Sequence, residues 1–353
     1  MNKTNSLKVL FIFIITITIV NCNNAFAKIE NLKLNIETGR VVSFQLIRAT
    51  KATLPTFLFL PGVNRSLLAD DEALQELAHQ GYGIATMNFS TQPFSINQLD
   101  KKEKPVFLKP NFKIEDFSLE VSALSNELKR NFGVKNIIHV SISYSAIVSS
   151  IIQDAQLIID TSPMTSSAAV NPDLEAFRAY LKSGEIFNPI YGPAITRSLL
   201  DQSYFKKWSD QVDNISKQFN LNEERKSDMV SGYTVMSRLS EGFVWDLKKS
   251  VTSPKRVFIF ARNDSALLLK DQLTLFSKIL SNSQDALAFV VNDSGHIIPT
   301  DQPSAYVNIL NYLLTAESRK ISGIFEVQPG NETPKLYKGA EAQIYIKSIL
   351  DTL

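Results

Sequence analysis

Apolar positions in this chain recur with two periods, and the two alternate. Residues 29–36, 41–47 and 56–60 read as strands, the last nearly all apolar, as a strand buried on both faces requires. Pro61-Gly62-Val63-Asn64 is a turn. The spacing predicts a helix over 71–80, with Leu74, Leu77 and Ala78 on one face and Gly81 as its stop. Residues 83–89 are strand-like again. Residues 90–112 show no period, carry Pro93, Pro105, Pro110 and a charged run from Asp100 to Lys104, and predict a surface loop. Phe117, Val121, Leu124 and Leu128 step by four, three and four, which is one face of a helix closed by Gly133. A strand over 136–142, a helix over 146–152 and a short buried strand over 157–159 follow.

Alternation of this kind implies an α/β fold, a mostly parallel central sheet with helices on both faces. It breaks at Ser162-Pro163, after which residues 165–250 carry helical signals only. Asn171 caps, Pro172 takes the first helical position, Leu174, Phe177 and Leu181 share a face, and Gly184 ends it. Further helices are expected to carry Tyr204, Phe205, Trp208, Phe219, Phe243 and Trp245. An all-helical insert in an α/β frame is a natural lid over a cleft. Strands over 256–261 and 286–291 and helices over 271–280 and 303–314 resume the frame. The expected organisation is a first core part over 28–164, the insert over 165–250, a second core part over 251–316, and a C-terminal extension over 317–353. In the extension Ile346, Ile349, Leu350 and Leu353 share a helical face that docks on the core.

Residues 1–27 stand outside this frame. Lys3 and Lys8 precede twelve largely apolar residues, 9–20, and Ala25-Phe26-Ala27 supplies small residues at a cut. That is the layout of a secretory signal peptide cleaved near Ala27, and it implies a secreted or periplasmic mature protein. A bilayer core needs about 20 apolar residues, so no integral span is expected in the mature form. Lipid attachment at Cys22 is the alternative. The whole chain carries 37 Lys and Arg against 35 Asp and Glu, and losing Lys3 and Lys8 balances the two. No long basic block remains, so nucleic acid is not an expected partner. Cys22 is the only cysteine, so the mature fold cannot rest on disulfides, and no metal set or Gly-rich cofactor loop appears.

Three residues that carry chemistry lie at the ends of strand-like runs. Ser143 sits in Ser141-Ile142-Ser143-Tyr144-Ser145, between a strand and a helix. Asp264 follows the run 257–261, and His296 follows Ser294-Gly295 on a loop after a buried strand. A serine hydroxyl needs an imidazole to take its proton, and a carboxylate to fix the imidazole tautomer. Of the three histidines, His79 reads as a surface residue and His139 as a core one, which leaves His296 as base. Asp264 is preferred as the acid, since one helix and one strand separate it from His296; Asp160, at the end of the preceding strand, is the alternative acid. Two N–H donors must also face the developing oxyanion. Val63, in the turn after residue 60, and Tyr144, after the nucleophile, are positioned to supply them.

These runs resemble the α/β-hydrolase superfamily over roughly residues 30–315. Nucleophile, acid and base fall in its chain order. Leu60-Pro61-Gly62 is similar to its oxyanion loop, which more often reads His-Gly, and Ser141 to Ser145 is similar to its nucleophile elbow, normally G-x-S-x-G. The resemblance implies a serine hydrolase of a carboxylic ester, thioester or amide, working on a small-molecule or acyl substrate without a cofactor. The alternatives on the same fold are a catalytically inactive binding protein of the cell envelope, motivated by the serine-flanked elbow, and a peptidase or acyltransferase using the same three groups.

Overall fold

The structure, a computed structural model, describes residues 28–62, 69–167, 223–246, 255–282, 286–330 and 334–353. The expected signal peptide, Val63, and most of the insert over 165–250 lie outside them.

Strand β1 (Glu30–Glu37) and β2 (Arg40–Ile47) form an antiparallel hairpin. Gly39 turns it at φ 77°, and a Cβ there would sit 2.2 Å from the Lys104 carbonyl oxygen, so the position requires glycine. Every residue of β3 (Thr56–Leu60) is buried. Helix α1 (Glu72–His79) is capped by the Asp71 carboxylate, which accepts from the Ala73 N–H, and Gly81 turns the chain into β4 (Gly83–Asn88). There follow α2 (Pro93–Ile96), α3 (Ile114–Asn131), β5 (Ile137–Ile142), α4 (Ser145–Ser149) and β6 (Leu157–Thr161). Helix α5 (Glu223–Ser240) belongs to the insert. The frame resumes with β7 (Lys255–Ala261), α6 (Leu269–Asn282), β8 (Leu287–Val291), α7 (Ile298–Asp301) and α8 (Pro303–Leu313). It ends with β9 (Gly323–Val327), β10 (Lys335–Tyr337) and α9 (Gly339–Leu350).

Among the described residues these strands make one sheet in the order β1-β2-β4-β3-β5-β6-β7-β8-β9-β10. From β4 to β9 all pairs are parallel, and antiparallel pairs close both edges. Strand β3 shows why the sheet is buried on both sides. Its Leu58 and Leu60 join a cluster with α3 and α4, while Phe57 and Phe59 join another with α1 and α8. The chain leaves β3 for β4 on one side and returns to β5 on the other. This reversal opens a crevice at the carboxyl ends of β3 and β5, where ligands of open α/β sheets collect.

Three expectations change. The surface loop expected over 90–112 holds only in part: residues 100–102, 104 and 108–111 are exposed, but Thr91, Gln92, Ser95 and Ile96 are essentially inaccessible to solvent, and α2 lies among them. Their polar side chains satisfy buried backbone groups, which no apolar period could reveal; Ser95 Oγ, for example, donates to the Asn88 carbonyl at 2.8 Å. Phe243 and Trp245 lie outside any helix, in an extended stretch that pairs with residues 165–167 through Ser167 N–H to Phe243 O and Trp245 N–H to Thr165 O. The extension from residue 317 supplies more than a docking helix. Its β9 pairs with β8 and β10 with β9, so it completes the sheet edge, while α9 buries Ala342, Ile346 and Ile349 and leaves Leu353 exposed.

Candidate active site

Strand β5 delivers Ser143 to the crevice in a conformation that L-residues avoid. Its φ is 58°, in the left-handed region, which costs a non-glycine residue about 1–2 kcal/mol. Three backbone bonds hold it there. Its N–H donates to the Thr161 carbonyl at 3.0 Å, and its carbonyl accepts from Ala146 at 3.1 Å and Met164 at 3.2 Å. The turn therefore hinges against β6 on one side and starts α4 on the other.

The flanking serines fit because their hydroxyls are used. Both are fully buried. Ser141 Oγ donates to Asp160 Oδ1 at 2.5 Å. Ser145 Oγ accepts from the Ile142 N–H at 2.7 Å and lies 2.9 Å from the Leu60 carbonyl oxygen and 3.0 Å from that of Ile142. Each serine fills the space beside the turn and bonds across it.

His296 arrives from the loop after β8. Asp293 at φ 53° turns the chain, and Gly295 passes so close to α7 that a Cβ would sit 2.8 Å from Asp301 Oδ2. Asp264 arrives from the loop after β7. The Asn263 N–H donates to the Ser294 carbonyl at 3.0 Å, which stitches the two loops together. His296 Nδ1 lies 2.9 Å from both Asp264 carboxylate oxygens, and His296 Nε2 lies 2.9 Å from Ser143 Oγ. A carboxylate facing Nδ1 places the imidazole proton there, which leaves Nε2 free to accept from the serine hydroxyl. The structure thus brings Ser143, His296 and Asp264, far apart in sequence, into one hydrogen-bonded line.

The Asp264 carboxylate is fixed from behind. Its Oδ1 also accepts from the Ala266 and Leu267 N–H groups at 2.9 Å each, and Oδ2 accepts from Gln272 Nε2 at 3.3 Å. Gln272 is fully buried on α6. No sequence motif marked it; its one visible signal was an amide on the apolar face of a helix.

Asp160 is elsewhere engaged. Its Oδ1 accepts from Ser141 and Ser149, and its Oδ2 accepts from Arg256 at 3.1 Å, inside the protein behind the elbow. Arg256 also donates to the Ser149 carbonyl and lies over the Trp245 ring at 5.5 Å. Asp160 therefore braces α4, while Asp264 faces the imidazole. His139 is a core residue: its Nε2 meets Ser125 Oγ at 3.2 Å, and burial pushes its pKa down to about 4. His79 is exposed on α1. Of the two expected oxyanion donors, Tyr144 lies at the start of α4, and Val63 lies outside the described residues. The carbonyl of Gly62, next to it, accepts from the buried Gln92 side chain at 2.8 Å.

No protein-family model matches this chain, and no curated protein matches it in sequence. Solved structures do resemble it. MGS-M2, an alpha/beta hydrolase enzyme from a Medee basin deep-sea metagenome library, is similar at a TM-score of 0.56 and 11% identity, over 81% of this chain and 98% of that one. The 2-hydroxy-6-oxo-6-phenylhexa-2,4-dienoate hydrolase BphD from Rhodococcus sp. strain RHA1 is similar at 0.56 and 14% identity, over 81% and 99%. Carboxylesterase CesB from Bacillus subtilis is similar at 0.52 and 13% identity, over 82% and 92%. At such identities the likeness is one of fold. The fold is that of the α/β-hydrolases.

Proposed function

We propose that the protein is a serine hydrolase that cleaves a carboxylic ester, thioester or amide through an acyl-enzyme. The observation that carries this reading is the unbroken line from Ser143 Oγ through His296 to Asp264, with 2.9 Å at each step. Its geometry suits nucleophilic catalysis, whose partners lie within about 2.6–3.2 Å of one another. Ser143 Oγ attacks the substrate carbonyl carbon as its proton passes to His296 Nε2. The carbonyl π electrons move onto oxygen, and the N–H groups of Val63 and Tyr144 hold that oxyanion. Collapse expels the alcohol, thiol or amine, which takes the proton from His296. Water then repeats the sequence on the acyl-Ser143 ester, delivering its proton to His296 and releasing the acid and the free serine. Asp264 holds the imidazole tautomer throughout.

Support for hydrolysis over loss of activity comes from the same distance, since a remote imidazole would have favoured a binding protein. The esterases and hydrolases among the similar folds lend support for the reaction class. The mature protein is proposed to be secreted or periplasmic, with residues 1–27 cleaved near Ala27; intact mass of the processed protein distinguishes this from a lipid on Cys22. The test of the reaction is labelling by a fluorophosphonate probe. The wild type labels and Ser143→Ala does not; an unlabelled wild type, or labelling that survives the substitution, ends the proposal.

A further inference from the structure

The Asp264 side chain is closed to solvent, so protein groups rather than water set its orientation. Its Oδ1 accepts from the Ala266 and Leu267 N–H groups at 2.9 Å each. Those two bonds come from its own loop and pin one oxygen. The terminal torsion of an aspartate is soft, so one pinned oxygen does not by itself fix the carboxylate plane. The second oxygen meets a donor from another element, Gln272 Nε2 at 3.3 Å, from the first turn of α6. That helix is itself anchored. Its Leu269, Leu273 and Phe276 share a buried cluster with Phe258 and Phe260, and the Phe276 ring lies 5.9 Å from each of those two rings. Phe258 and Phe260 belong to β7, the strand that delivers Asp264. The donor and the carboxylate are therefore fixed to the same piece of sheet.

We infer that Gln272 is a positioning residue for the reaction, fixing the plane of the Asp264 carboxylate and through it the tautomer and aim of His296; the inference rests on the hydrolase reading above. Two features of the amide point away from a role in stability alone. Gln272 is fully buried, on a helix face otherwise formed by Leu269, Leu273, Phe276 and Ile279. Its Oε1 has no hydrogen-bond partner among the described residues. A buried amide bonded at one end only has lost its hydration without full return, and an apolar side chain of the same length would fill the space at less cost. What the amide supplies is one N–H aimed at Asp264 Oδ2. His296 Nδ1 lies 2.9 Å from both carboxylate oxygens, an arrangement that holds only while the carboxylate keeps its plane. Turning that plane lengthens one of the two contacts and frees the imidazole to swing, which carries Nε2 away from Ser143 Oγ, now at 2.9 Å. Gln272 acts through Asp264 alone in this scheme.

This role separates turnover from ground-state binding. The imidazole takes its proton in the transition state, so loss of aim lowers kcat and leaves KM nearly unchanged. The variants are Gln272→Met, which keeps the length and removes the donor, and Gln272→Leu, which serves if the first fails to fold. Both are assayed for kcat and KM on p-nitrophenyl esters, for the rate of fluorophosphonate labelling and for melting temperature, beside wild type and Ser143→Ala. The expected result is a fall in kcat and labelling rate of about 10- to 100-fold with KM within about threefold of wild type. The same substitution is then placed in an Asp264→Asn background. The carboxylate whose plane Gln272 sets is absent there, so the second change costs less than about threefold more, whereas a merely structural role costs as much in either background. A folded variant with wild-type kcat, one that changes KM alone, or losses that multiply in full in the double variant overturn the inference and leave the hydrolase reading standing. Unfolding of both variants assigns the amide to the core and overturns it as well. A wild type that neither turns over nor labels overturns both the inference and the hydrolase reading.

Discussion

Replacing Asp264 by asparagine tests the site at its most constrained atom. Asp264 Oδ1 is held by two backbone N–H groups, from Ala266 and Leu267. An asparagine must therefore set its carbonyl oxygen at that position and its amide nitrogen where Oδ2 now lies. That nitrogen donates towards Nδ1 while the retained oxygen, also 2.9 Å from Nδ1, still accepts. The Nδ1–H loses one of its two acceptors and meets a donor in its place, which moves the imidazole population towards the tautomer with its proton on Nε2. Nε2 then faces Ser143 Oγ with a proton it cannot exchange for the serine's. The fold has little to lose. Gln272 now donates to Oδ2 at 3.3 Å, and its own buried Oε1 has no hydrogen-bond partner among the described residues. Turning that amide over presents Oε1 to the new Nδ2 and satisfies both. A wrong-tautomer imidazole in such a site costs about 10⁴-fold in kcat, equivalent to about 5 kcal/mol of transition-state stabilisation. The assay is kcat on the p-nitrophenyl ester series together with the melting temperature. A drop of less than about tenfold in a folded variant refutes the assignment of Asp264 as the group that sets the tautomer.

Other perturbations read separate parts of the structure. Arg256→Met strands the Asp160 carboxylate in a fully buried site, and a broken buried pair of this kind costs about 3–5 kcal/mol, read by denaturant unfolding; adding Asp160→Asn is expected to recover part of the loss, and no loss in the single variant would refute the pairing. Asp160→Asn by itself is expected to lower stability far more than kcat, the reverse of Asp264→Asn; equal loss of kcat in both would restore Asp160 as a candidate acid. Burial of Glu120 raises its pKa from 4.5 to about 7, against the opposing bonds from Ser90. Between those values the folded state holds a proton that the unfolded state has released, so this group's contribution falls as pH rises through the window, by about 3 kcal/mol in all. Glu120→Gln removes that slope, and a stability difference between wild type and variant that stays flat from pH 4 to 8 would refute it.

Much of this architecture was legible in the chain. Strand β3 announced itself as a run apolar to both sides, α1 by Leu74, Leu77 and Ala78 on one face and Gly81 after it, and α3 by steps of four and three from Phe117. Those signals are local, because backbone periodicity and end-capping depend on neighbours a few residues away. The same holds for Ser143, Asp264 and His296, each marked by its place after a strand, since a parallel sheet sends all such ends to one side.

What tertiary structure decided involves partners far apart in the chain. Gln92 and Gln272 carry no local mark, yet one fixes the Gly62 carbonyl and the other the Asp264 carboxylate. Asp160 and Asp264 look alike at the ends of their strands; the choice between them depended on Arg256 reaching the first and His296 the second. The first part of the segment after β4 looked solvated because it is polar, and residues 90–96 are mostly buried because their polar groups found buried backbone to bond. Periodicity reports which face of an element is apolar. It does not report which distant donor a buried acceptor will meet, and in this protein those meetings set the geometry of the site.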